Sequence, residues 1–291
     1  MNVGIVGIGN MGGAMAQRLL GLGWAVAVRD VVPEREAALA ELGATVCASP
    51  AALATACEAV IVAVVDAGQT RRVLFDADGV VAGARRGACV LLCPTIAPAD
   101  TEELAARLAA AGLDCVDAPM SGGPERARAG QMSLMVACAE AVFARQRALL
   151  EALSTQVFRL GARVGDGTRT KLINNLLAGI NLAGAAEALA LAERLGLDLA
   201  RTLDVIERSS GQSWIGADRL RRAIAGDYAP RAHTALLDKD THLALEMAAA
   251  AGHAVPLGSA AAARFAAACA AGHALRDDAS LFELARAPRR R

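Results

Sequence analysis

At 291 residues the chain has room for about two domains of ordinary size, and two domains would leave a cleft between them. Lys plus Arg equals Asp plus Glu, 30 of each, so the charge balance offers no footprint for a nucleic-acid backbone or an anionic membrane surface. The 7 cysteines, an odd number without a C-x-x-C pair, fit neither a disulfide framework nor a zinc site; no metal is expected, and the reducing cytoplasm is the expected compartment.

The first residues, "MNVGIVG", read as a strand rather than as a basic and then apolar leader. Short apolar runs then alternate with helical stretches: "NVGIVG", "AVAVRD", "AVIVAVV", "ACVLLC", "LDCVDAP", "MSLMVAC" and "QVFRL". Several are apolar at nearly every position, as strands covered on both faces are, and the alternation predicts a parallel, doubly wound α/β sheet over residues 1–161. From 162 to 291 no strand is expected. A long helix over about 167–196 opens that all-helical part, and its residues are apolar most of the way round, which predicts burial against another subunit in a dimer or tetramer. Shorter helices are predicted near Leu199–Arg208, Trp214–Ala225, Thr234–Ala251, Pro256–Ala271 and Leu281–Ala285. Charged residues interrupt every stretch of about 18 positions that a membrane span requires, so these helices are read as soluble. The terminal "RAPRRR" is read as a solvated tail.

"GIVGIGNMGGAMAQRL" puts Gly7, Gly9 and Gly12 in a G-x-G-x-x-G spacing after a strand and at the opening of a helix. Gly7 permits the tight turn, Gly9 lets a pyrophosphate approach the backbone, and Gly12 lets helix and strand pack closely, while the free N–H groups around Asn10 and Met11 face negative charge. The second run ends in "VAVRD", so Asp30 falls about 20 residues on, where a carboxylate accepts the adenine ribose hydroxyls. Asp30 would repel a 2′-phosphate and favours NAD, whereas Arg29 beside it would attract one and keeps NADP open.

"DAPMSGGPERARAGQMSLMVA" resembles the substrate signature of the β-hydroxyacid dehydrogenase family, typified by 3-hydroxyisobutyrate dehydrogenase. The N-terminal glycine segment, "DVVPE", "PTIAP", "GDGTRTKLINNLLAG" and "LLDKDTHLALEMA" resemble the same family in order and spacing, over nearly the whole chain. Ser121, Gly122 and Gly123 offer a hydroxyl and two unhindered N–H groups suited to a carboxylate, although an ordinary glycine turn looks the same in isolation. The resemblance makes Lys171 the catalytic general acid and base. Lys171 and Asn175, four residues apart, project from one helical face, and Asn175 is expected to bind the substrate hydroxyl or hold Lys171. By the same resemblance Val64, Val65, Thr95 and Lys239 contact the nicotinamide half of the cofactor and Trp214 closes the substrate pocket, a core aromatic being the alternative for the last.

The resemblance implies an NAD(P)-dependent oxidoreductase that moves a hydride reversibly between the nicotinamide and a small hydroxy acid. Pro94, Val65 and "GQM" at 130–132 depart from the family's common residues and turn attention from 3-hydroxyisobutyrate itself. "RDVVPE", "SGGPERARAG" and "SGQSW" are more similar to the members that act on polyhydroxylated acids such as threonate or glycerate. Two other readings use the same scaffold: a non-catalytic dinucleotide sensor, and an imine reductase. Both replace the lysine that this chain carries at 171.

Overall fold

The computed structural model describes residues 1–286; the last five residues of the basic tail lie outside the described residues. The chain divides into two compact units, one from Met1 to Lys171 and one from Leu172 onward.

The first unit is built on a nine-stranded sheet. Its strands are β1 (Asn2–Val6), β2 (Ala25–Arg29), β3 (Thr45–Val46), β4 (Ala59–Val62), β5 (Cys89–Leu92), β6 (Asp114–Asp117), β7 (Met120–Ser121), β8 (Ser133–Ala137) and β9 (Gln156–Gly161). The spatial order is β3-β2-β1-β4-β5-β6-β8-β7, with β9 paired to β8. From β3 to β6 every pairing is parallel. The sheet is mixed rather than wholly parallel, because β8 runs antiparallel to both β6 and β7. β3 and β7, two residues each, are too short to leave a period in the sequence.

Helices cover both faces, and the side-chain period of two decides which residue meets which layer. Ile61 and Leu91 enter one core with Ile5, Met15, Leu19 and Leu149. Their neighbours Val60, Val62, Val90 and Leu92 enter the other with Val6, Leu53, Leu104 and Leu108. All four residues of β4 and of β5 are buried, which accounts for their unbroken apolar sequence. Full burial of one such side chain stabilises the fold by about 1.5–3 kcal/mol. Ser49 and Asp66 start two of the covering helices by accepting the N–H groups of Ala52 and Gln69.

The second unit holds no strand among its described residues. Its helices are the rest of Asp166–Arg194, then Leu199–Glu207, Trp214–Ile224, Thr234–Ala250, Pro256–Ala268 and Leu281–Arg286. Leu182, Leu189, Leu203, Leu220, Phe265 and Phe282 form its core. Small residues let these helices approach: a Cβ on Gly179 would lie 2.8 Å from Thr241 Cγ2, and one on Gly258 would lie 2.6 Å from Leu176 Cδ1. Two buried ion pairs cross the unit, Arg219 to Asp278 at 2.5 Å and Arg222 to Asp277 at 2.9 Å.

Asp166–Arg194 is the one described helix long and apolar enough, by length and composition, to cross a membrane; its most apolar 18-residue window has a mean hydropathy of 1.4, and 33% of that window is buried within the chain. Scattered Asn and Glu residues break its apolar run without lowering the mean of that window below a spanning value.

Candidate active site

Gly7, Val64 and Thr95 follow the carboxyl ends of β1, β4 and β5, and the strand order reverses between β1 and β4. That is the place where an open α/β sheet receives its ligand. Gly7 has φ +88°, and a Cβ there would lie 2.9 Å from Val64 Cγ1 and from the Ala63 carbonyl. A Cβ on Gly12 would meet the Gly7 carbonyl oxygen at 1.9 Å. At Gly9 the nearest atom to such a Cβ is Arg35 Nη1 at 3.7 Å, so the backbone there is open to a ligand. The helix Asn10–Gly21 begins without a side-chain cap and with no acidic residue in its first turn. Asn10, exposed, and Met11, half-buried, therefore open a helix whose first N–H groups are offered to an anion. These residues fit a dinucleotide pyrophosphate.

Asp30 is buried, and its carboxylate accepts the N–H of Ile8 at 2.7 Å and of Val32 at 3.0 Å. It ties the glycine turn to the end of β2 and keeps further lone pairs for ribose hydroxyls. Arg29 points elsewhere. Its Nη1 donates to Glu36 Oε1 at 2.9 Å, and the same oxygen accepts the Asp30 N–H at 2.8 Å. Arg35, which sequence reading passed over, lies 3.5 Å from Asp30.

β6 ends at Asp117, and the chain reaches Ser121 at the end of β7. Ser121, Gly122 and Gly123 are all half-buried, with φ +126° at Gly122 and +76° at Gly123, a left-handed pair that glycine alone adopts easily. Pro124 follows and has no N–H. Arg126 lies over Gly122, its Cδ 3.2 Å from where a Cβ would stand.

Lys171 and Asn175 are 7% and 8% exposed on the helix Asp166–Arg194. Such burial is unusual for a lysine, a residue type that is almost always exposed. Of the 30 Lys and Arg residues only two are lysines, Lys171 and Lys239. Arginine therefore carries nearly every permanent positive charge in the chain, and both of its lysines lie among the candidate residues. In the second unit Asn175 Nδ2 donates to Asp240 Oδ2 at 2.6 Å, and Lys239 Nζ donates to Asp240 Oδ1 at 2.7 Å. Asn174 Nδ2 donates to Asn175 Oδ1 at 3.0 Å, which fixes the amide's orientation from its other side. Asp240 is buried and links two residues singled out from sequence, yet it carries no sequence signal of its own.

The remaining positions are less enclosed. Thr95 and Val64 are half-buried, and Val65 is 50% exposed, its N–H donating to Gln69 Oε1 at 3.1 Å. Trp214 is 49% exposed at the first position of a helix capped by Ser213, with the Arg219 guanidinium 5.8 Å from its ring. It is not a core aromatic of the second unit. Among the described residues no group of three His, Cys, Asp or Glu side chains could hold a metal ion.

Residues 2–161 match the family model of the NAD binding domain of 6-phosphogluconate dehydrogenase, and residues 165–285 match that of the NAD-binding region of NADP-dependent 3-hydroxyisobutyrate dehydrogenase. An L-threonate dehydrogenase from Cupriavidus necator is 39% identical over 283 residues, covering 97% of this chain and 95% of the relative. The crystal structure of a 3-hydroxyisobutyrate dehydrogenase from Salmonella typhimurium superposes with a TM-score of 0.92 at 38% identity, covering 98% of this chain and 99% of that one. An imine reductase from Myxococcus stipitatus shares the fold alone, at 21% identity and a TM-score of 0.69 over 97% and 99% of the two chains. Fold and site thus define an NAD(P)-dependent dehydrogenase acting on the CH–OH group of a hydroxy acid. The chain belongs to the β-hydroxyacid dehydrogenase family, on its L-threonate dehydrogenase-like branch.

Proposed function

We propose that this dehydrogenase oxidises a small polyhydroxylated acid, with L-threonate as the first candidate, and that Lys171 Nζ takes the hydroxyl proton in oxidation and returns it in reduction. The observation that carries the mechanism is the burial of Lys171 one helical turn from Asn175, whose amide is held on both sides. Desolvation favours the neutral amine and so brings a lysine toward the proton affinity that acid–base work at neutral pH requires. When bound, the nicotinamide accepts or supplies the hydride. Ser121, Gly122 and Gly123 hold the substrate carboxylate, and Asn175 donates to the reacting hydroxyl. Val64, Val65, Thr95 and Lys239 contact the cofactor's nicotinamide half, and Trp214 borders the substrate, following the family's pattern. The glycine turn with Asn10 and Met11 receives the pyrophosphate. NAD is preferred, because Asp30 stands at the ribose position while Arg29 is engaged by Glu36.

The residues to 161 serve as the cofactor-binding domain, and those from 162 to 291 as the substrate and oligomerisation domain. Ile173, Leu177 and Leu191 are exposed on one face of Asp166–Arg194, and exposed Leu195 follows directly after it. A second copy of this chain covers that stripe in a cytoplasmic homo-oligomer, which also accounts for the helix's high hydropathy outside any membrane.

Absorbance of reduced nicotinamide, followed with L-threonate, glycerate, 3-hydroxyisobutyrate, serine and 3-hydroxypropionate against NAD and NADP, tests the substrate. Turnover fastest with threonate and NAD supports the reading; a better substrate without a second hydroxyl overturns it. Lys171→Ala is expected to lower kcat by about 10²–10⁴-fold, the contribution of one positioned acid–base group. Lys171→Arg should be no better, since a guanidinium does not deprotonate in this range.

A further inference from the structure

We propose that Asp117 is a positioning residue for the reaction: its buried carboxylate locks the first turn of the helix bearing Lys171 to the strand that leads into Ser121–Gly123. The proposal rests on the reading of Lys171 as the proton-transfer group.

Asp117 has no exposed surface, and the chemistry described above does not use it. It is the last residue of β6, pairing with Leu92 of β5 on one side and with Ala137 of β8 on the other, where the sheet changes from parallel to antiparallel. A side chain rooted there is fixed by two ladders. Its Oδ2 accepts the N–H of Gly165 at 2.8 Å and of Thr168 at 3.1 Å, and its Oδ1 accepts the Thr168 hydroxyl at 2.9 Å. A helix normally satisfies its first N–H groups with a side chain from its own N-terminus. Here a carboxylate from the sheet does so, and its charge meets the positive end of the helix dipole.

Two further contacts belong to the same joint. Thr101 and Thr168 share a hydroxyl hydrogen bond of 3.0 Å, which fixes the Thr168 rotamer from a second helix. A Cβ on Gly167 would lie 2.6 Å from the Met135 carbonyl oxygen and 2.9 Å from Asp117 Cγ, so only glycine lets the turn settle against the carboxylate.

The joint is short and stiff on both sides. Thr168 and Lys171 are three residues apart, neighbours on the helix surface, separated by about 4.5 Å of rise. On the other side three residues separate Asp117 from Ser121. The distance between Lys171 and the Ser121–Gly123 loop is therefore set through Asp117, with no flexible segment between. A misplacement of about 1 Å at a reacting group can cost on the order of 100-fold in rate. Burial raises the Asp117 carboxyl above its ordinary range while the bonds from Thr168 and Gly165 pull it down. Those bonds are what make a buried carboxylate tolerable.

The test exploits the presence of only two lysines. Purified full-length protein without added cofactor is labelled with an amine acetylating reagent over a pH series, and mass spectrometry reads Lys171 and Lys239 separately. Asp117→Asn removes the charge at nearly constant shape, and Thr168→Val removes one hydroxyl while leaving the sheet intact should the first variant fail to fold. In both we expect Lys171 reactivity to change severalfold and its pH midpoint to move, with Lys239 unchanged. We also expect kcat to fall about tenfold or more, as loss of orientation predicts, with the NAD dissociation constant within about twofold of wild type. Folded variants whose Lys171 profile and kcat match wild type would overturn the proposal. So would equal shifts at both lysines, which mean general loosening. If Lys171→Ala itself retains turnover, the proton-transfer reading fails, and the contrast between the two lysines alone then decides whether Asp117 positions this turn.

Discussion

Asn175 and Asp240, 65 positions apart in the chain, are joined by a hydrogen bond of 2.6 Å, and both are more than nine-tenths buried. The bond is charge-assisted and shared, since the other Asp240 oxygen accepts Lys239. One carboxylate thus orients an amide and an ammonium, both candidate site residues.

Asp240→Asn should uncouple them. Loss of a hydrogen bond to a charged group costs about 1.5–3 kcal/mol, corresponding to roughly 10- to 100-fold in kcat/KM if the amide must be held for the transition state. Steady-state kinetics with the best substrate checks this, alongside a melting curve. Activity lost in proportion to melting temperature alone would assign Asp240 a structural role only.

Gly12→Ala should be worse than its one methyl suggests. The new Cβ would have to displace the Gly7 carbonyl oxygen from 1.9 Å, which forces the first helix away from β1. Overpacking of this kind costs about 1–3 kcal/mol, and here the displaced atoms belong to the turn proposed to receive the pyrophosphate. Thermal unfolding with and without NAD should show a lower melting point and no stabilisation by NAD. A variant that NAD still stabilises as it does wild type would mean the turn is not the cofactor site.

The Asp278 carboxyl is pushed up to about 6, chiefly by burial, with Arg219 pulling against it. A folded-state value above the unfolded one favours the protonated form in the fold. The contribution is therefore fully present below the ordinary carboxylate value near 3.8 and is lost as pH rises through about 6. Asp278→Asn has no such titration, so the wild type should lose stability relative to the variant between about pH 4 and pH 7. Chemical denaturation of both proteins across that window is the check; a slope of opposite sign would mean that Arg219 outweighs burial.

Leu177, 58% exposed beside Ile173 on the long helix, sits in the stripe proposed to meet a second copy. Leu177→Asp should leave the core of its own unit untouched and split the oligomer, because an unpaired charge in an apolar interface loses its hydration without compensation. Light scattering on a sizing column reads the mass directly. An unchanged mass for the variant would place the interface elsewhere.

How much of this was legible in sequence varied with the range of the contact. The glycine turn, Asp30 and the Lys171–Asn175 spacing are local patterns. Their backbone geometry follows from residue type and from helix and strand periods, and so they could be read directly. Arg29 was ambiguous in sequence because its direction depends on Glu36, which belongs to the following helix. Trp214 was equally open, and only the packing of the second unit leaves it exposed. β3 and β7 were missed because two residues cannot show a period.

The sequence by itself determined the class of fold and the helices of the second unit to within a few residues, because hydrophobic period and turn chemistry act over a few residues at a time, while the dehydrogenase class was legible only through the ordered motifs that resemble a known family. Only the tertiary structure decided that the sheet reverses at β8, that Asp117 holds the turn before Lys171, and that Asp240 joins Asn175 to Lys239. Each of these pairs residues far apart in the chain. Which distant carboxylate meets a given amide or N–H is fixed by strand order and helix packing, and neither is written in the spacing of the residues that finally touch.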